Sequence, residues 1–174
     1  MEDSKDVVGV IDKYELDLGK QEMIGEEAIT STHNSMIKIY KTEFVDNNGV
    51  VKKRFKTGEK FKVKIYYEIF ENKEDIFFGV GMRNSKNIYV NGLNTKLDGI
   101  KVNTNIGKHI LELEYTEMNL YKDIYTVWSV CYNSTGTVVL SDYIMKDSLE
   151  VYSPIELGEG ILIIPHEWRQ HEKI

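Results

Sequence analysis

Residues 61–70 read FKVKIYYEIF. Phe61, Val63, Ile65, Tyr67 and Ile69 alternate there with Lys62, Lys64, Tyr66, Glu68 and Phe70. A period of two, one face apolar and the other largely polar, is the mark of a strand lying on a core. The same grammar runs outward from this segment. SMIKIYKTEFVD (residues 35–46) stops at the turn Asn47-Asn48-Gly49. IFFGVGM (76–82) ends at Arg83-Asn84-Ser85, and IYVNG (88–92) opens a loop rich in Asn, Asp and Gly that runs to Gly107. Leu111, Leu113 and Tyr115 alternate with Glu112 and Glu114, and DIYTVWSVCY (123–132) is closed by the turn Asn133 to Gly136. TVVLSDYIM (137–145) and SLEVYS (148–153) complete the set. Short strands with turn signals about every ten residues, and almost no helix, predict an all-β fold. The expected architecture is an antiparallel, immunoglobulin-like β-sandwich of about eight or nine strands over residues 23–174. Ahead of it, Val7, Val10, Ile11, Tyr14 and Leu18 have roughly helical spacing. Residues 1–22 read as a short helix or linker out of a preceding domain, or as a disordered tail.

Composition limits the function. A length of 174 residues suits one domain. The formal charge of −6 argues against a general nucleic-acid binder. A single cysteine, Cys131, rules out an internal disulfide framework and fits a reducing compartment. No apolar run approaches membrane-spanning length, and the acidic N-terminus lacks a signal-peptide core. Asn133-Ser134-Thr135 matches a glycosylation sequon by chance in such a chain.

The ending, GILIIPHEWRQHEKI (160–174), imitates a zinc-protease signature without meeting its geometry. That signature needs two histidines four residues apart on one helix face. His166 and His171 are five apart, so at about 100° per residue they stand roughly 140° apart around a helix. His33 and His109 stand alone in sequence, and no metal or other cofactor is expected. A short strand, Ile161 to Ile164, followed by an anchor in which Trp168 packs, is the expectation instead.

Other catalytic signatures are missing. There is no phosphate-binding loop, and Thr57-Gly58-Glu59-Lys60 is only a turn. There is no G-x-S-x-G elbow. Cys131 sits mid-strand in an apolar segment, which suits a buried structural thiol. A glycosidase would need two facing carboxylates, which sequence alone does not identify. The run Lys52, Lys53, Arg54, Lys56, Lys60, Lys62, Lys64 reads as the solvated face of one hairpin, or as a patch for an anionic polymer.

Two strands say more. In residues 76–83, Phe78, Val80 and Met82 share one face, and Phe77, Gly79, Gly81 and Arg83 the other. Two glycines on one face predict a bare trough on which a flat ligand can lie. In residues 125–132, Tyr125, Val127, Ser129 and Cys131 alternate with Thr126, Trp128, Val130 and Tyr132. If the first set faces the core, Trp128 and Tyr132 stand on an outer surface, where rigid aromatics can stack on sugar rings. The alternative is that Trp128 fills the core, as in many sandwiches.

Several segments together resemble a known family. They are Phe55-Lys56-Thr57-Gly58-Glu59, Phe78-Gly79-Val80-Gly81-Met82-Arg83, Val90-Asn91-Gly92-Leu93-Asn94-Thr95, the corner Asn119 to Tyr125, and Gly160 to Trp168. Their order over about residues 23–168 is similar to the C-terminal domain of Wzt-type ATP-binding subunits of polysaccharide (O-antigen) ABC transporters. The resemblance implies a non-catalytic carbohydrate-binding sandwich that follows an ATPase and recognises a lipid-linked glycan. It also implies a cytoplasmic position at the inner face of the bacterial membrane, contact with the transporter's membrane subunit through the ATPase, and a homodimer through the terminal strand, residues 160–168. The chain is then a fragment of a larger subunit or a freestanding module. Two departures stand out: Asp123-Ile124-Tyr125 lacks the glycine usual before the tyrosine, and the aromatic-Asp-aromatic pattern is reduced to Ser141-Asp142-Tyr143. The expected glycan site is Phe77, Gly79, Gly81, Arg83, Trp128 and Tyr132, rimmed by Asn91, Asn94 and Asp98. The rivals are a dimerisation or docking domain without sugar affinity, and a glycan-modifying enzyme.

Overall fold

A computed structural model describes residues 35–71, 75–156 and 158–170. The expected N-terminal helix or linker, residues 1–22, lies outside the described residues. The described chain forms eight strands: β1 (Ile37–Asp46), β2 (Arg54–Lys56), β3 (Phe61–Ile69), β4 (Ile76–Arg83), β5 (Tyr89–Asn94), β6 (Gly107–Tyr115), β7 (Asp123–Asn133) and β8 (Val139–Tyr152). They make two sheets, β1-β3-β6 and β2-β8-β7-β4-β5, in an immunoglobulin-like sandwich. Pairing is antiparallel except where β2 runs parallel to β8.

The period-two reading of residues 61–69 carries through. Phe61, Val63, Ile65, Tyr67 and Ile69 are all buried, and the intervening residues are half-exposed. They meet Phe78, Val80 and Met82 of β4 and Tyr125, Val127 and Cys131 of β7. Each such side chain removed from water contributes about 1.5–3 kcal/mol before entropy is counted. Polar groups also join the sheets: Thr42 Oγ1 and Ser129 Oγ lie 2.7 Å apart, and the Ile39 N–H donates to Ser141 Oγ at 2.8 Å. The second bond lies beside a bulge in β1, between Ile39 and Lys41. At the entry to β7 the Tyr125 hydroxyl donates to the Tyr121 carbonyl at 2.8 Å, a tyrosine corner.

Three expectations change in detail. The two segments 137–145 and 148–153 form one strand, β8, which bends at Asp147. Asp147 has φ of 45° and is fixed because its N–H donates to Thr126 Oγ1 at 3.1 Å. The three-residue β2 has no period of its own to read, yet Phe55 at its centre is fully buried. The expected terminal strand Ile161 to Ile164 is absent. Among the described residues there is one bridge here, Leu120 to Leu162, and the Ile163 N–H donates to the Asn119 carbonyl at 2.8 Å. Trp168 does not anchor it, being 91% exposed. Among the described residues no second strand lies beside this apolar segment, and a ladder needs one.

The lysine run does not form the face of one hairpin, because Arg54 and Lys56 lie on β2 beside β8, and Lys62 and Lys64 lie on β3 in the other sheet. Lys62 pairs with Glu112 and Glu114, Lys64 with Glu112, Lys52 with Glu59, and Arg54 with Glu150.

Candidate functional site

The face of β4 and β7 that points away from the sandwich core carries its own cluster. Facing residues in an antiparallel pair share a face. The register sets Phe77 opposite Tyr132, Gly79 opposite Val130, Gly81 opposite Trp128, and Arg83 opposite Thr126. Phe77, Trp128, Val130 and Tyr132 pack together, separate from the inter-sheet core, with Val139 and Ile144 beside them. Trp128 therefore belongs to the outer face. Phe77 and Tyr132 stack with ring centres 5.1 Å apart, and Tyr89 lies 5.9 Å from Trp128. The Arg83 guanidinium sits 5.6 Å from the Trp128 ring and donates from Nη1 to Asn87 Oδ1 at 3.0 Å.

The glycines do not leave a bare trough. A methyl group built on Gly81 would fall within the Trp128 indole, and one on Gly92 would fall on the Tyr89 hydroxyl. A strand glycine leaves a gap beside its neighbour's side chain, and a large ring lies down into it. Trp128 is accordingly only 4% exposed, whereas Tyr89 is 40% exposed. What remains is a hollow of about 30 Å³ lined by Gly79, Gly81, Tyr89, Gly92, Asn94 and Trp128, among others.

The expected rim divides. Asn94 lies opposite Gly79 on the outer face, but its Oδ1 accepts the Leu97 N–H at 2.8 Å and so closes a turn. Asn91 lies opposite Met82, on the core side of the edge strand β5. Asp98 lines a different cavity of about 90 Å³, between the sheet edges, with Phe78 and Leu111. Sequence reasoning missed Tyr89, Gly92 and Asp142. The register would have found the first two, since β5 pairs with β4 at Gly81–Gly92 and Arg83–Tyr89. Asp142 faces Val130 on the outer side and is fully buried; the Ser141-Asp142-Tyr143 motif was its signal.

Among the described residues no group of three or more His, Cys, Asp or Glu could hold a metal ion. Burial pushes the Cys131 thiol well up, which removes the thiolate a nucleophile needs. No helix among the described residues is long and apolar enough to cross a membrane.

A family model for the Wzt C-terminal domain matches residues 30–147. The chain belongs to the Wzt C-terminal domain family. The crystal structure of the C-terminal domain of Wzt is similar over 87% of this chain and 93% of that one, with a TM-score of 0.68 and 11% identity. That likeness shows the shared fold. A β-glucuronidase from glycoside hydrolase family 2 aligns over 62% of this chain and 12% of its own, with a TM-score of 0.44 and 13% identity. An immunoglobulin-like protein from Pseudomonas aeruginosa aligns over 70% of this chain and all of its own, with a TM-score of 0.36 and 9% identity. Neither of these last two is close enough to inform function. No match was found among curated proteins. Membership in the Wzt C-terminal family sets the domain in the context of polysaccharide export by an ABC transporter.

Proposed function

We propose that this domain recognises, without catalysis, a lipid-linked surface polysaccharide destined for export. The glycan meets the outer face of the five-stranded sheet. The observation that carries this reading is the aromatic cluster set apart from the core, with Trp128 laid on Gly81 and the half-exposed Tyr89 beside it. Stacking on sugar C–H faces needs rigid aromatics with polar neighbours. Arg83 supplies donors at one end of the same face, and the buried Asp142 lies beneath its middle. Tyr89 is the ring a sugar meets first, and Trp128 is the floor beneath it.

In this reading the domain works at the cytoplasmic membrane face and reaches the membrane subunit through an ATPase. A second copy pairs with residues 160–168. Leu162, Ile164 and Trp168 are 51%, 76% and 91% exposed, which is a surface that calls for a partner. The same observation favours a second reading, a dimerisation domain without sugar affinity.

Saturation-transfer NMR on the chain with the source organism's surface polysaccharide separates the two. Saturable binding at about −4 to −8 kcal/mol, weakened by Tyr89→Ala and by Trp128→Phe, supports recognition. A stable dimer that binds no glycan supports the second reading.

A further inference from the structure

We propose that a cleft at one end of the sandwich, beside Phe77, binds the anionic group of an acidic sugar unit, carboxylate or phosphate. The inference deepens the glycan-recognition reading and rests on it. The cleft has a volume of about 270 Å³ and is walled by Phe77, Ile100, Lys96, Lys101 and Thr104, with Asp75 as the acid on its lining. That volume is just under the ~300 Å³ at which sites for drug-sized ligands begin, so it suits one monosaccharide unit and not a length of polymer.

Lys96 is held in place, and Lys101 is carried on the same loop. The loop between β5 and β6 is tied to the sheets: the Thr95 N–H donates to the Phe78 carbonyl at 2.9 Å, and the Tyr67 hydroxyl donates to the Asn103 carbonyl at 2.9 Å. Lys96 Nζ donates to the Ser134 carbonyl at 3.1 Å and stands 5.6 Å from the Phe77 ring centre. An ammonium has three donors, so two remain for a ligand. Among the described residues neither Lys96 nor Lys101 is paired with a carboxylate. This contrasts with Lys52, Lys62 and Lys64, each neutralised by a glutamate. Two lysines against Asp75 make the cleft locally positive on a chain of formal charge −6.

Apolar walls and paired cations together are the chemistry for a ring with a C–H face and a charged substituent. Phe77 also stacks on Tyr132, so the cleft continues the aromatic face. A glycan lying on that face can place an acidic unit here.

The test compares glucose, glucuronate and glucose 6-phosphate, one ring with three groups at its sixth carbon, by NMR titration of the 174-residue chain. Amide shifts over residues 96–104 should saturate at about five- to tenfold lower concentration for the charged sugars. The advantage should shrink with added salt. The stronger of the two charged sugars identifies carboxylate or phosphate as the source of the anion. Lys96→Gln with Lys101→Gln should abolish the advantage at unchanged melting temperature, and Lys96→Arg should keep it. Equal behaviour of glucose and the charged sugars, or an advantage that survives the double variant, overturns the inference. The Trp128 indole N–H reports the aromatic face separately. If polysaccharide moves that signal but charge makes no difference at residues 96–104, only this inference fails. If polysaccharide moves neither, the recognition reading fails as well.

Discussion

The indole of Trp128 occupies the space that a side chain at Gly81 would fill. Gly81→Ala therefore forces the ring off the sheet. Overpacking of this kind costs about 1–3 kcal/mol. For a domain of this size that lowers the melting temperature by roughly 2–4 °C per kcal/mol. Tryptophan emission should shift with it. Gly79→Ala is the control, because its added methyl meets Val130 Cγ1 at 3.3 Å and needs only a slight adjustment.

Thr42 and Ser129 join the two sheets through a single buried hydroxyl pair. Removing one partner strands the other, at about 1–3 kcal/mol. Thr42→Val combined with Ser129→Ala should cost less than the sum of the single changes. A double-mutant cycle by urea unfolding measures that difference.

Tyr125→Phe removes the corner bond to the Tyr121 carbonyl while leaving the buried ring. The expected loss is about 0.5–1.5 kcal/mol, read by thermal unfolding. A loss near zero would mean that the corner is held by packing alone.

Glu43 and Tyr66 set opposite pH limits on the outer face of the three-stranded sheet. Burial pushes the Glu43 carboxyl up, but hydrogen bonds from Lys41 and Tyr66 outweigh it and hold the group below its usual range. Its stabilisation is full above the unfolded value, about 4.3, and is lost as pH falls through the lower folded value. The bond to Glu43, with burial, raises the Tyr66 phenol to about 12. That contribution is full below about pH 10 and is lost as pH rises toward the folded value. Glu43→Gln should flatten the acid limb of a melting-temperature profile and bring phenol ionisation to lower pH by absorbance.

The proposed dimer through residues 160–168 predicts that the full chain scatters light as a dimer and that deleting residues 160–174 leaves a monomer with little change in melting temperature. Among the described residues this segment forms one bridge, Leu120–Leu162, and the Ile163–Asn119 bond. A dimer that survives the deletion would put the shared surface elsewhere.

The strands were legible because alternation is local: Phe61 to Ile69 needs only its own neighbours to be read. The face assignment of Trp128 was left open by the residues, since alternation tells which side chains share a face and not which face is covered. The role of Gly81 was misread for a related reason. A glycine looks vacant in sequence, and only the cross-strand register shows the indole above it. Asn91 and Asp98 looked like rim residues because they are near Asn94 in the chain, yet one strand position or one turn separates them from the aromatic face. The terminal segment reads as a strand because Ile161 to Ile164 is apolar, but strand formation needs a partner edge that the sequence does not name.

Ser129 and Ser141, which tie the five-stranded sheet to β1, are the immediate chain neighbours of Trp128 and Asp142 on the opposite face. Apolar contact between two sheets is close-packed but carries no directional bonds. Here the leaves are pinned directly beneath the aromatic cluster. The Trp128 ring on the outer face is therefore one residue away from a directional bond to β1, the first described strand.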